Sequence, residues 1–231
     1  MYYPFFDPTY ILVIIGIILS LGASAMVQTT FAKYNRVRSL SGMTGAQAAE
    51  RILHSAGIYD VSVQHVSGNL TDHYDPRDKT LKLSDNVYGQ TSVAAIGVAA
   101  HECGHAIQHD KGYVPLRLRT AFVPVANIGA TISWPLILIG IFLGGSQTLI
   151  YLGIILFSCA VLFQLITLPV ELNASARAVK ILDETGILYG EEVSHTKKVL
   201  GAAALTYVAA AAASILQLLR LLILFGGRNR D

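Results

Sequence analysis

The strongest constraint on this chain is a set of four long apolar runs, because each must either fill a core or cross a bilayer. A helix rises about 1.5 Å per residue, so about 20 mainly apolar residues suffice to cross hydrocarbon. Segments 10–27, 121–143, 149–170 and 202–225 approach or exceed that length. The first and third are the cleanest. The second carries Pro124, Asn127 and Pro135, which a membrane helix tolerates where neighbouring helices resatisfy the backbone. The fourth is alanine-rich and is interrupted by Gln217 and Arg220. Hydrophobic residues make up 53% of the 231 and charged residues only 14%, more apolar than an ordinary soluble domain. The expected fold is therefore a predominantly α membrane protein with about four transmembrane helices.

Charge distribution sets the expected orientation. Most charged residues fall within 33–119 and 171–198. Segment 10–27 has a rival reading as a cleaved signal, since Ala23-Ser24-Ala25 resembles a cleavage site. However, no Lys or Arg precedes the run, whereas Lys33, Arg36 and Arg38 follow it. The positive-inside rule then places 28–120 in the cytoplasm. Arg117, Arg119, Arg177, Lys180, Lys197 and Lys198 agree, while Arg228 and Arg230 in the tail dissent if the fourth run crosses. The expected regions are a first transmembrane helix at 1–27, a cytoplasmic catalytic region at 28–120 and two transmembrane helices within 121–170. A cytoplasmic helix at 171–201 and a fourth span with its tail at 202–231 complete the chain. A net charge of +2, without a dense basic cluster, argues against a nucleic-acid partner. Cys103 and Cys159 lie in unlike settings and imply no disulfide framework.

The largest polar stretch contains local signals of a small α+β portion. Thr44 and Gln47 form a capping-box pattern for a helix that stops at Gly57. Segments 60–66 and 79–84 read as short strands, with a turn at Asp75-Pro76 between them. Thr91 or Ser92 then caps a helix reaching about Asp110, with Gly112 beyond it.

That last helix carries His101-Glu102-Cys103-Gly104-His105, the HExxH pattern. Residues four apart share a helix face, so two imidazoles can converge on one zinc ion while Glu102, about 100° round, reaches the water on it. Zinc draws the pKa of that water from about 15.7 toward about 7, and a carboxylate can then take its proton. A catalytic zinc ordinarily has three protein ligands. Glu171, at the end of the third run, fits the third place: two spans separate it from His105, and an even number of crossings returns the chain to the same side. His109 lies about 6 Å along the axis from His105 and is better read as a solvent or interface histidine. Asp183 is an alternative third ligand, and Cys103 reads as a packed small residue.

The strings Leu70 to Arg77, Leu81 to Ser84, Ser92 to Gln108 and Leu168 to Glu171 resemble the YugP-like bacterial membrane zinc metallopeptidases, which are related to the gluzincins. The resemblance covers most of the chain. It implies zinc held by His101, His105 and Glu171, with Glu102 as catalytic base, in a multi-span bacterial inner-membrane protein with a zincin-like catalytic portion. The family pattern has aspartate at Asn173 and arginine at Ala176, so the groups orienting the imidazoles differ here; Asn173 or Ser175 can accept that hydrogen bond.

Oxyanion stabilisation has four candidates, His73, Tyr74, Arg177 and His195, and the sequence does not choose among them. Segment 81–84 reads either as an edge strand for substrate pairing or as an ordinary sheet edge. The expected activity is peptide hydrolysis at the cytoplasmic membrane surface, on a protein or peptide substrate that is itself membrane-associated. Two rivals are an intramembrane protease with 92–108 in the bilayer and a non-catalytic zinc-binding scaffold. The sequence specifies neither substrate nor oligomeric state.

Overall fold

The computed structural model describes residues 7–226, so Arg228 and Arg230 lie outside the described residues. Among these, nine elements follow in order. They are α1 (Tyr10–Tyr34), α2 (Gly45–Ser55), β1 (Ser62–His65), β2 (His73–Asp75), β3 (Thr80–Leu83), α3 (Val93–Asp110), α4 (Val114–Phe142), α5 (Gln147–Glu184) and α6 (Glu191–Phe225). They divide into two units. One gathers 7–23, 118–168 and 206–226, and the other 24–117 and 169–205.

The first unit is built from α1, α4, α5 and α6, four helices long and apolar enough to cross a membrane by length and composition. Pro124 and Pro135 lie inside α4, and Pro169 inside α5, without ending either helix. Ile137, Ile150, Ile154 and Leu221 form its buried cluster. Its outward residues are apolar as well: Ile18, Leu21 and Ile155 are 62%, 65% and 62% exposed, a surface suited to lipid rather than water. Arg220, the charge that interrupts the fourth run, pairs with Asp7 at 3.7 Å and lies 4.3 Å from the Tyr10 ring centroid. Both contacts reduce the cost of a guanidinium in an apolar setting.

Helix α5 has 38 residues. At 1.5 Å per residue it is about 57 Å long, far beyond a hydrocarbon layer of about 30 Å. Its apolar part, 149–170, accounts for about 33 Å. The polar remainder continues as the same helix through Glu184, where Gly186 at φ +62° takes the chain out. Segment 171–201 is thus the end of α5, a turn at 185–190 and the start of α6.

The second unit has the expected α+β character. Thr44 caps α2 with both hydrogen bonds of the capping box in place, and Gly57 at φ +78° ends it. The sheet has the order β1-β3-β2, with β1 parallel and β2 antiparallel to β3. Two features differ from the sequence reading. Strand β2 was not expected, because three residues with polar neighbours give no alternating pattern. As a result, the turn after Asp75 closes a β2–β3 hairpin rather than linking the two expected strands. Segment 81–84 is also not an edge: β3 is the central strand, paired on both sides, which explains why Leu81 and Leu83 are fully buried.

The core of this unit joins α2, the sheet, α3 and the polar ends of the long helices through Ile52, Leu53, Leu81, Leu83, Ile96 and Leu182. Each such side chain contributes about 1.5–3 kcal/mol relative to exposure. Helix α3 begins where Ser92 Oγ accepts from the Ala95 N–H at 3.1 Å and donates to Asn35 Oδ1 at 2.6 Å. Ser92→Ala removes both bonds, and loss of the cap alone costs about 1 kcal/mol. The expected result is a fall of about 2–4 °C in the Tm of the detergent-solubilised protein; an unchanged Tm would show that the cap contributes nothing.

Candidate metal centre

Within the second unit, α3 presents His101 and His105 one turn apart, and α5 brings Glu171 to them. The His101 Nε2 stands 3.3 Å from Glu171 Oε2, and the His105 Nε2 stands 3.5 Å from the same oxygen. One ligand atom from each of the three lies within 4.8 Å of the others. Ligand atoms 2.0–2.1 Å from zinc at tetrahedral corners are about 3.3–3.4 Å apart, so these two separations match two edges of such a site. The donor set, two imidazoles and a carboxylate, also suits zinc. The side chains of His101 and His105 are 13% and 12% exposed and that of Glu171 is 3%, leaving the imidazoles a narrow opening to solvent.

Electrostatics couple the three groups. Burial opposes ionisation of Glu171, but the hydrogen-bonding imidazoles of His101 and His105 outweigh it and keep the carboxyl well below the usual carboxylate range. Burial disfavours the His105 cation, but Glu171 and the charge of Glu102 outweigh that and raise its pKa. Glu102 is itself buried on α3. Burial, with a smaller push from the charge of Glu102, raises Asp72, whose oxygens accept from the Ser84 N–H and Oγ and tie the entry of β2 to the end of β3.

The far side of each imidazole is also engaged. Ser175 Oγ is 3.1 Å from His101 Nδ1, and Gln108 Oε1 is 3.0 Å from His105 Nδ1. Asn173 touches neither ring; its Oδ1 accepts from Gln108 Nε2 at 3.0 Å and from Arg177 Nε at 2.7 Å. Gln108 was not singled out in the sequence, although it sits three residues beyond His105 and therefore on the same face of α3.

The remaining candidates lie elsewhere in this unit. His73 directs Nδ1 at the Thr71 carbonyl, 2.9 Å away, which leaves Nε2 a donor only when the ring is protonated. The Tyr74 hydroxyl bonds His109 Nδ1 at 2.9 Å, and both border a cleft of about 350 Å³ that Asp60, Lys79 and Asp110 also line. Burial and the surrounding carboxylates push the Tyr74 phenol up to about 12. Arg177 lies 5.9 Å from the Tyr113 ring centroid, and His195 packs against Tyr34 with ring centroids 4.7 Å apart. Asp183 is exposed and is not in the cluster. Cys103 is fully buried with its thiol toward the Ala49 carbonyl, as expected of a packed residue.

The approach of α5 to α3 depends on Gly104. A Cβ built there would fall 2.6 Å from the Ala174 carbonyl oxygen, so any side chain would push the helix carrying Glu171 away. In an ordinary helix, Gly→Ala stabilises by about 1 kcal/mol. Gly104→Ala should instead destabilise by about 1–3 kcal/mol and lower zinc content. Thermal unfolding and metal analysis test this, and a more stable variant with full zinc content would show that the helices do not need this approach.

Residues 9–226 match the family described as "Putative neutral zinc metallopeptidase". The chain is 50% identical over 214 residues to the Bacillus subtilis (strain 168) protein named "Putative membrane protease YugP", covering 92% of this chain and 95% of that protein. No solved structure matches the chain.

Proposed function

The chain belongs to the neutral zinc metallopeptidase family, and from that premise we propose that it hydrolyses peptide bonds at the cytoplasmic surface of the membrane, with His101, His105 and Glu171 as zinc ligands and Glu102 as general base. The observation that carries this reading is the convergence of the two Nε2 atoms on Glu171 Oε2, at separations that match two edges of a tetrahedral site. Bound zinc supplies Lewis acidity and draws the pKa of a water toward about 7.

The chain's own residues supply the rest. The carboxylate of Glu102, one residue from His101 and about 100° round α3, takes a proton from the attacking water. As the water oxygen bonds the carbonyl carbon and the C–N bond breaks, Glu102 gives that proton to the departing amine. Its burial slows loss of the proton to bulk water. Ser175 and Gln108 hold the two imbedded rings in place from behind.

Placement at the membrane surface, rather than within the bilayer, is supported by the surroundings of α3. It packs on α2 and the three-stranded sheet and is not one of the four helices apolar and long enough to cross. The cytoplasmic side is supported by Lys33, Arg36 and Arg38 following the first apolar run. A site at the foot of a spanning helix favours substrates that are themselves membrane-associated. On this reading residues 28–120 and 171–201 form the cytoplasmic portion.

Glu102→Gln should retain zinc and lose about 10²- to 10⁴-fold in peptide cleavage, whereas His105→Ala should lose the metal. Metal analysis and a casein or peptide-library assay read both. Zinc binding with no cleavage by the wild type across the library would favour a non-catalytic scaffold instead. For orientation, Asp78→Cys, on the exposed turn after β2, should react with an impermeant thiol reagent in inverted but not right-side-out vesicles. The opposite pattern would place the site outside.

A further inference from the structure

We propose that Gln108 is a positioning residue that fixes which nitrogen of His105 faces the metal, and that Asn173, itself held by Arg177, helps fix the orientation of the Gln108 amide. The inference rests on the zinc reading above but concerns a side chain to which that reading gives no more than support.

Gln108 is completely buried, so its amide groups must be satisfied inside the protein. Its Nε2 lies 2.8 Å from the Val170 carbonyl and 3.0 Å from Asn173 Oδ1. A backbone carbonyl can only accept, so the NH₂ end of Gln108 must be the one that faces it. Asn173 agrees: Arg177 Nε is always a donor and lies 2.7 Å from Asn173 Oδ1, which makes that atom the acceptor for both neighbours. With its nitrogen committed to α5, Gln108 has only its oxygen to turn to His105 Nδ1, at 3.0 Å.

An amide oxygen cannot donate, so the favourable arrangement puts the proton on His105 Nδ1. The Nε2 lone pair is then directed to the side where Glu171 Oε2 lies. The polarity of the whole chain of bonds is therefore set at two places that cannot reverse, the Val170 carbonyl and the Arg177 guanidinium. Val170 adjoins Glu171, so the same amide also ties the ring of one ligand to the backbone bearing another. His101 has no such relay. Its partner, Ser175 Oγ, can donate or accept and leaves that ring's tautomer free to follow the metal.

The test uses the full-length protein in detergent. Gln108→Met keeps the side chain's length and removes both hydrogen-bonding ends. Zinc affinity, measured by chelator competition, should fall about 10- to 100-fold. In zinc-loaded, ¹⁵N-histidine-labelled protein, the Nδ1–H resonance of His105 should shift and exchange faster with water, while that of His101 stays unchanged. A purely structural role would not single out one ring. Asn173→Ala, at a half-buried position, provides a second variant if the first fails to fold; it should move the same His105 resonance and weaken zinc binding less. Zinc affinity within about twofold of wild type, or an unmoved His105 signal, overturns the assignment. A wild type that takes up no zinc overturns the metal reading beneath it as well.

Discussion

The cluster of His101, His105 and Glu171 depends on how closely α3 and α5 can approach. Two histidines share one helix face by periodicity alone, but the carboxylate beside them comes from another helix whose backbone lies almost in contact. Gly104 makes that possible, because a side chain there would occupy the position of the Ala174 carbonyl. Cys103 and Gly104, consecutive on α3, thus meet different packing partners. Cys103 turns toward α2, while Gly104 accommodates α5.

The architecture that delivers Glu171 is economical. Apolar length carries α5 through hydrocarbon, and the same helix continues without a break until Glu171 and Ser175 are beside His101. A loop-borne ligand would lose conformational entropy on ordering of about 1–2 kcal/mol per residue. A ligand on a continuing helix avoids most of that loss, because helical hydrogen bonds already fix its backbone. The same helix supplies the acceptors at Val170 and Asn173 that orient Gln108.

Much of this was legible in the sequence because it is local. Capping residues Thr44 and Ser92, the stops at Gly57 and Gly112, the four apolar runs and the i, i+4 histidines all express short-range rules, and each has a counterpart in the structure. Features that depend on long-range pairing were not legible. Strand β2 is too short to show a period, and the central place of β3 depends on β1, 15 or more residues earlier, finding it in parallel. The triad required topology as well as spacing: an even number of crossings permits Glu171 to meet the histidines but does not bring it within 3.5 Å. Gln108 was missed for a related reason. A glutamine at helical spacing from a histidine acquires meaning only once the carbonyl that orients it is known.

Cys103 sits immediately beside Glu102, where a reactive sulfur would be hazardous. Burial pushes its thiol well above the ordinary range, and its sulfur is turned to the Ala49 carbonyl. Only the thiolate attacks peroxides or captures copper and other soft metals. Kept protonated and out of reach, this sulfur is itself sheltered from oxidants and thiophilic ions, although it lies within the HExxH pentapeptide.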